Sequence, residues 1–209
     1  LHLENPYTFR ESLRFTFGTF AGTYPKSVAF WYQDPRPAEL AVWQAVDVPW
    51  MALGPLGLTT TLPERIDDRD YQSEVPIGAN FRFAARWQRE EMTHGFLDLT
   101  HHFRHYVLTH SGTGWLAGRS VMRLVTYVHS QAKQELQVRF GHDDAMAVAL
   151  NSRPLARLPA VPGLRAAPAM LPLEAGWNEL TVTLENDDNV DFRWNGLSLA
   201  VKTPAGIRF

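Results

Sequence analysis

The sequence predicts an all-β protein, a mainly antiparallel β-sandwich or jelly roll with little helix. Three observations predict it. Apolar side chains recur with period two, turn residues break the runs at short intervals, and runs with helical spacing are scarce. Successive side chains of a strand point to opposite faces, so each alternating run describes a half-buried strand with one wet side.

Taken in chain order, Leu13, Phe15 and Phe17 alternate with Ser12, Arg14 and Thr16. The run Asp34-Pro-Arg-Pro37 then stops any strand and starts a connector, which places a domain boundary there. Residues 1–37 form a first segment and residues 38–209 a second. The polar stretch Leu58 to Asn80 has few apolar anchors and reads as a long surface loop packed against something else. The best helical candidate is a short turn over Thr100 to Tyr106. Leu136, Val138 and Phe140 alternate with Gln137 and Arg139, and Met146, Val148 and Leu150 alternate with small alanines. Asn151-Ser152 separates that run from Arg153–Leu158 and predicts a hairpin, although serine stands where glycine would make the tightest turn. Leu180, Val182 and Leu184 alternate with Thr181 and Thr183. Phe192 and Trp194 are even while Leu197, Leu199 and Val201 are odd, so a bulge or bend is expected at Asn195-Gly196.

Composition narrows the function classes. The chain has 209 residues, 45% of them hydrophobic, enough to bury a sizeable core. Its 20 basic and 22 acidic residues form no basic stripe, which argues against a nucleic-acid partner. Cysteine is absent, so disulfides and thiolate metal sites are excluded, while the compartment stays open. No apolar run is long enough to cross a bilayer, and no signal peptide is visible in this chain. No cofactor motif is found.

Several residues are candidates for chemistry. Asp143 and Asp144 could bind calcium or form an acid pair, but neighbours on a strand face opposite ways, and in a turn they more simply accept bonds from backbone amides. Asp187, Asp188 and Asp191 invite the same reading. His101, His102, His105 and His110 are locally dense, yet they lack the intervening Glu of a helical zinc motif, and a solvated turn is preferred. Glu90 and Glu91 are read as a solvated pair. The seven tryptophans are more suggestive, because the C–H faces of sugars stack on exposed aromatic rings. Trp31, Trp50, Trp87 and Trp115 sit near predicted loops or strand ends and are the candidate saccharide-binding residues. Trp177 and Trp194 lie in clean strand patterns and are assigned to the core.

Residues Asn5-Pro-Tyr-Thr-Phe9, Ser12-Leu-Arg-Phe15 and Ser27-Val-Ala-Phe-Trp-Tyr-Gln33 together resemble the closing strands of the DUF2961 double jelly roll, now placed in glycoside hydrolase family 172. The family's final strand, Ser-Ser-Val-Ala-Tyr-Trp-Tyr-Gln, is matched nearly residue for residue. Its Glu-His-Gly is replaced by Thr16-Phe17-Gly18, and its catalytic Gly-Thr-Glu-Asp-Tyr-Phe run has no counterpart. Cleavage of a glycoside usually needs two carboxyl groups, so no catalytic residue is carried over. In the second segment Leu150-Asn151 and Gly176-Trp-Asn178 resemble marks of accessory sandwiches in sugar enzymes, together with Gly141-His-Asp-Asp144. Such marks speak to fold rather than activity. The resemblance implies a non-catalytic, C-terminal portion of a furanoside-acting glycoside hydrolase, with fructan- or arabinan-type substrates. It also implies an upstream catalytic half or companion chain, and a homo-oligomer. The alternatives are a carbohydrate-binding module and a structural protein-interaction sandwich.

Overall fold

A computed structural model describes residues 43–77, 79–99, 120–142, 145–160, 165–186, 196–202 and 206–209. All of them belong to one compact unit, Pro37–Phe209. Fourteen strands follow in order: β1 Trp43–Ala45, β2 Pro49–Gly57, β3 Tyr71–Ile77, β4 Ala79–Ala85, β5 Gln88–Glu91, β6 Phe96–Asp98, β7 Ser120–Ser130, β8 Gln134–His142, β9 Ala145–Leu150, β10 Arg153–Leu158, β11 Arg165–Leu173, β12 Gly176–Asn186, β13 Gly196–Lys202 and β14 Ile207–Arg208. The fold is all-β, and among the described residues there is no helix and every strand pair is antiparallel.

Two sheets form the sandwich. One runs β1-β13-β8-β11, with β6 beside β1 along β13; the other runs β10-β9-β12-β7-β2-β5, with β14 on the end of β7. From β7 onward the chain steps from sheet to sheet at most connections, the habit of a jelly roll. The inner faces come from the predicted alternation. Leu136, Val138 and Phe140 of β8 and Leu197, Leu199 and Val201 of β13 meet Met146, Val148 and Leu150 of β9 and Leu180, Val182 and Leu184 of β12 in one continuous core. Burying each such aliphatic or aromatic side chain stabilises the fold by about 1.5–3 kcal/mol. The outer faces carry the charged and small residues of the same strands.

The predicted hairpin forms. Leu150 pairs with Arg153, and Asn151 and Ser152 adopt φ of 50° and 64°, the two left-handed residues of a tight two-residue turn. Asn tolerates this conformation through local hydrogen bonds. Its side chain binds across the sheet: Asn151 Oδ1 accepts from the Glu179 amide at 2.9 Å, and Asn151 Nδ2 donates to Asn178 Oδ1 at 2.9 Å. Asn178 is fully buried. Its Nδ2 donates to the carbonyls of Glu174 (2.9 Å) and Gly176 (3.1 Å), and its Oδ1 accepts from the Glu174 amide (3.0 Å). The Leu-Asn and Gly-Trp-Asn marks are thus two halves of one hydrogen-bonded clasp, which ties the β9–β10 turn to the start of β12.

A second tight turn links the layers. Thr93 and Phe96 exchange backbone bonds of 2.8 and 3.0 Å around His94 and Gly95, both at positive φ. Gly95 is required twice over, because a Cβ there would lie 2.8 Å from both the Ala45 Cβ and the Leu199 carbonyl oxygen.

The expected long loop is only half a loop. Residues 58–70 are irregular, but Tyr71–Ile77 and Ala79–Ala85 pair residue for residue as a separate two-stranded hairpin. Its strand signal is diluted because Ser73, a buried position, is polar. The Ser73 hydroxyl accepts from the Gly57 amide (3.2 Å) and donates to the Pro55 carbonyl (3.1 Å). The loop and hairpin cover a smaller core of Leu53, Leu56, Ala85 and Val121, against which Leu62, Tyr71, Phe83 and Trp87 pack. Asp70 joins the hairpin to the loop through a two-pronged contact with Arg86 Nε and Nη2. The expected turn at Thr100 to Tyr106 lies outside the described residues, as does Asn195 of the expected bend.

Candidate functional site

The outer face of the seven-stranded sheet gathers the chemistry. In β12 the even residues from Asn178 to Leu184 face the core, so Trp177, Glu179, Thr181 and Thr183 face outward. Register sets three of them opposite outward residues of β7, Trp177 against His129, Glu179 against Tyr127 and Thr183 against Arg123, while Thr181 lies opposite the buried Val125. Directly opposed antiparallel residues share a face.

At one end stands an aromatic group. Trp177 is 67% exposed and Tyr127 44%. His129 braces the indole edge-on, with ring centroids 5.1 Å apart and planes at 71°. The Tyr127 hydroxyl donates to Glu179 Oε2 at 3.3 Å. Burial raises the Tyr127 phenol above its ordinary range, and the negative charge of Glu179 and this hydrogen bond raise it further.

Two to four residues further along the strands from Glu179 and Tyr127, the same face sinks into a cleft of about 630 Å³. Its floor is made by Ala147 and Ala149 of β9, Thr181 and Thr183 of β12, and Arg123 of β7; Glu64 stands on one side and β10 on the other. The sheet edge curls here, because β10 carries an extra residue between Pro154 and Ala156. Arg157 on the rim is held by Glu185, Nη2 to Oε1 at 2.9 Å. Arg123 is different. Its Nε is buried without a hydrogen-bond partner among the described residues. Burial pulls its guanidinium below the ordinary value, and the nearby Glu179 and Glu64 carboxylates push it back up.

The predicted aromatic residues are not brought together. Trp50 is corrected from saccharide platform to core: it is 0% exposed between Val48 and Ala52, which share its inward parity, and its ring offers no face to a ligand. Trp87 is half-buried against the smaller core, its indole nitrogen covered. Trp31 and Trp115 lie outside the described residues. The assignment of Trp177 to the core is also corrected, by its exposure. The parity of its own strand carried the signal, since it shares the odd positions of Glu179, Thr181 and Thr183. Trp194, the histidines at 101, 102, 105 and 110, Asp143 and Asp144, and Asp187, Asp188 and Asp191 lie outside the described residues.

Glu90 stands opposite Trp50 and Glu91 opposite Pro49, so the two carboxylates leave β5 on opposite sides. Glu91 pairs with Arg89 at 2.7 Å. Among the described residues no group of three or more His, Asp or Glu gathers into a metal-binding cluster.

No protein-family model matches the chain, and no curated protein matches it, so the DUF2961 likeness of residues 5–33 stays a resemblance. Solved structures similar to the chain include carbohydrate-binding and glycoside-hydrolase chains. One is a family 35 carbohydrate binding module from an environmental isolate, with 13% identity, 41% of this chain and 68% of that one covered, and a TM-score of 0.32. Another is a β-glucosidase from Kluyveromyces marxianus in complex with glucose, with 12% identity, 74% and 16% covered, and a TM-score of 0.41. A third is an epithelial adhesin A domain from Candida glabrata in complex with β-lactose, with 10% identity, 80% and 85% covered, and a TM-score of 0.36. The chain therefore spans less than a fifth of that β-glucosidase. At these identities and TM-scores the likenesses decide neither the substrate nor the activity of this chain.

Proposed function

We propose that the chain is a non-catalytic, saccharide-binding β-sandwich that accompanies a furanoside-acting glycoside hydrolase. The observation that carries the binding role is Trp177, a large apolar ring 67% exposed on a regular strand, braced by His129 and next to the exposed Tyr127. An indole in water forgoes about 2–3 kcal/mol of burial. The C–H face of a sugar recovers that, while Glu179 and the Tyr127 hydroxyl accept and donate to hydroxyl groups at its rim.

The furanoside assignment rests on the closing-strand resemblance of residues 5–33, which points to arabinan- or fructan-type chains. By the same resemblance, residues 1–37 add their strands to an upstream catalytic half, a companion chain or a symmetry mate in a homo-oligomer. Residues 38–209 form the accessory domain.

The test is retention of the purified chain on insoluble arabinan and on fructan, in parallel with Trp177→Ala. Wild type is retained on at least one and the variant is released, while neither turns over aryl arabino- or fructofuranosides. Wild-type protein that stays in the supernatant with both polymers, or a variant retained as well as wild type, refutes the binding role. Turnover that survives repurification refutes the non-catalytic one.

A further inference from the structure

We propose that the Arg123 cleft is a second saccharide subsite built for a neutral sugar presenting adjacent hydroxyl groups, and that it discriminates against acidic sugars. This rests on the saccharide-binding reading above and names the ligand class at the other end of the same sheet face.

The argument starts from what the cleft offers. A guanidinium presents five N–H donors in a planar fork and cannot accept. In most proteins a half-buried arginine is satisfied by a carboxylate or carbonyl. Arg123 has no hydrogen bond or ion pair among the described residues, and its Nε is fully covered. The covered Nε is out of a ligand's reach, but the Nη groups open to the cleft and are matched by any ligand that supplies acceptors in the plane of the fork. Two neighbouring hydroxyl oxygens do so.

The same hydroxyls must also donate, and the cleft supplies acceptors. Glu64 lines one side, and Thr181 and Thr183 on the floor bear hydroxyls that do either. Ala147 and Ala149 keep the floor low, so a ring can approach the backbone of β9. Donor, acceptor and amphoteric groups together match a polyol.

Charge decides between neutral and acidic ligands. Arg157 is already neutralised by Glu185. What remains near Arg123 is Glu64 and Glu179, two carboxylates against one cation. A sugar carboxylate on Arg123 would sit in their combined field, and the repulsion offsets what the fork gives it. A neutral polyol uses Arg123 and Glu64 at once and meets no such opposition.

The experiment measures dissociation constants by calorimetry for the whole chain. Probes are linear arabino-oligosaccharides and inulin-derived fructo-oligosaccharides on the neutral side, and oligogalacturonate on the acidic side. Wild type should prefer a neutral probe by tenfold or more. Arg123→Met should weaken that binding about tenfold or more, and Arg123→Lys, which keeps the charge and the stem but loses the planar fork, should weaken it as well. Glu64→Gln, which replaces a charged acceptor by a neutral one, should weaken neutral binding and raise affinity for oligogalacturonate, so that the preference for neutral probes narrows. Oligogalacturonate binding as tightly as the neutral probes overturns the proposal. So does unchanged neutral binding in both Arg123 variants when Trp177→Ala abolishes it, and in that case the saccharide-binding reading survives. If no probe binds the wild type, both fall.

Discussion

Asn178 holds the Gly-Trp-Asn and Leu-Asn marks together, and its removal tests whether those marks serve the fold. Three of its bonds, to the Glu174 amide and to the carbonyls of Glu174 and Gly176, lie between 2.9 and 3.1 Å and close within one turn. A fourth, from Asn151 Nδ2, reaches an exposed residue that water can serve instead. Counting about 1 kcal/mol net for each of the three, Asn178→Ala should cost about 2–4 kcal/mol. In urea this lowers the unfolding midpoint by about 1–2 M at unchanged slope, read by tryptophan fluorescence. Asn178→Asp keeps the shape but replaces a donor by an oxygen that faces the carbonyls of Val128, Glu174 and Gly176. Its folded-state carboxyl is therefore pushed above its unfolded value near 3.9, and stability should fall as pH rises from there. A loss below about 0.5 kcal/mol for Asn178→Ala, or an Asn178→Asp variant whose stability does not fall with rising pH, would refute the clasp.

Gly95→Ala places a Cβ 2.8 Å from the Ala45 Cβ and the Leu199 carbonyl at φ of 71°, and should cost about 2–3 kcal/mol by the same assay. Arg86 holds the Asp70 carboxyl below its ordinary 3.8, so the contact stabilises above that value and is lost as pH falls through the lower, folded-state value; a carbon-13 titration should find the depressed midpoint, and Arg86→Gln should restore it. Residues 38–209 expressed alone should unfold in one cooperative thermal transition, because all fourteen described strands pair within that span; a chain without a transition would show that residues 1–37 complete this domain.

Much of the sandwich was legible because its core strands alternate cleanly. The Leu136, Met146 and Leu180 runs and the Asn151-Ser152 hairpin stand where the pattern put them. The β3–β4 hairpin was not legible. Its buried position at Ser73 is filled by a hydrogen-bonded hydroxyl rather than an apolar group, and Pro76 breaks the strand signal. Neither nearness to a loop, as at Trp50, nor a place within a clean strand, as at Trp177, decides where an aromatic ring points; the parity of its strand does. Parity sends Trp50 inward with Val48 and Ala52, sends Trp177 outward with Glu179, and sends Asn178, a polar residue, into the core. The cleft leaves a fainter trace, a single charge at Arg123 between Met122 and Leu124. Which residues wall it depends on pairings between strands distant in sequence, which no local pattern encodes.

The central claim is that the outer face around Trp177, rather than the buried tryptophans, meets a saccharide. The indole N–H resonances of the seven tryptophans report on this residue by residue once assigned by single substitution. On titration with the oligosaccharide derived from the retaining polymer, the Trp177 indole should shift and saturate together with backbone amides of Tyr127 and Glu179, while the Trp50 indole stays fixed. A Trp177 signal that does not move while binding is registered elsewhere would contradict the account.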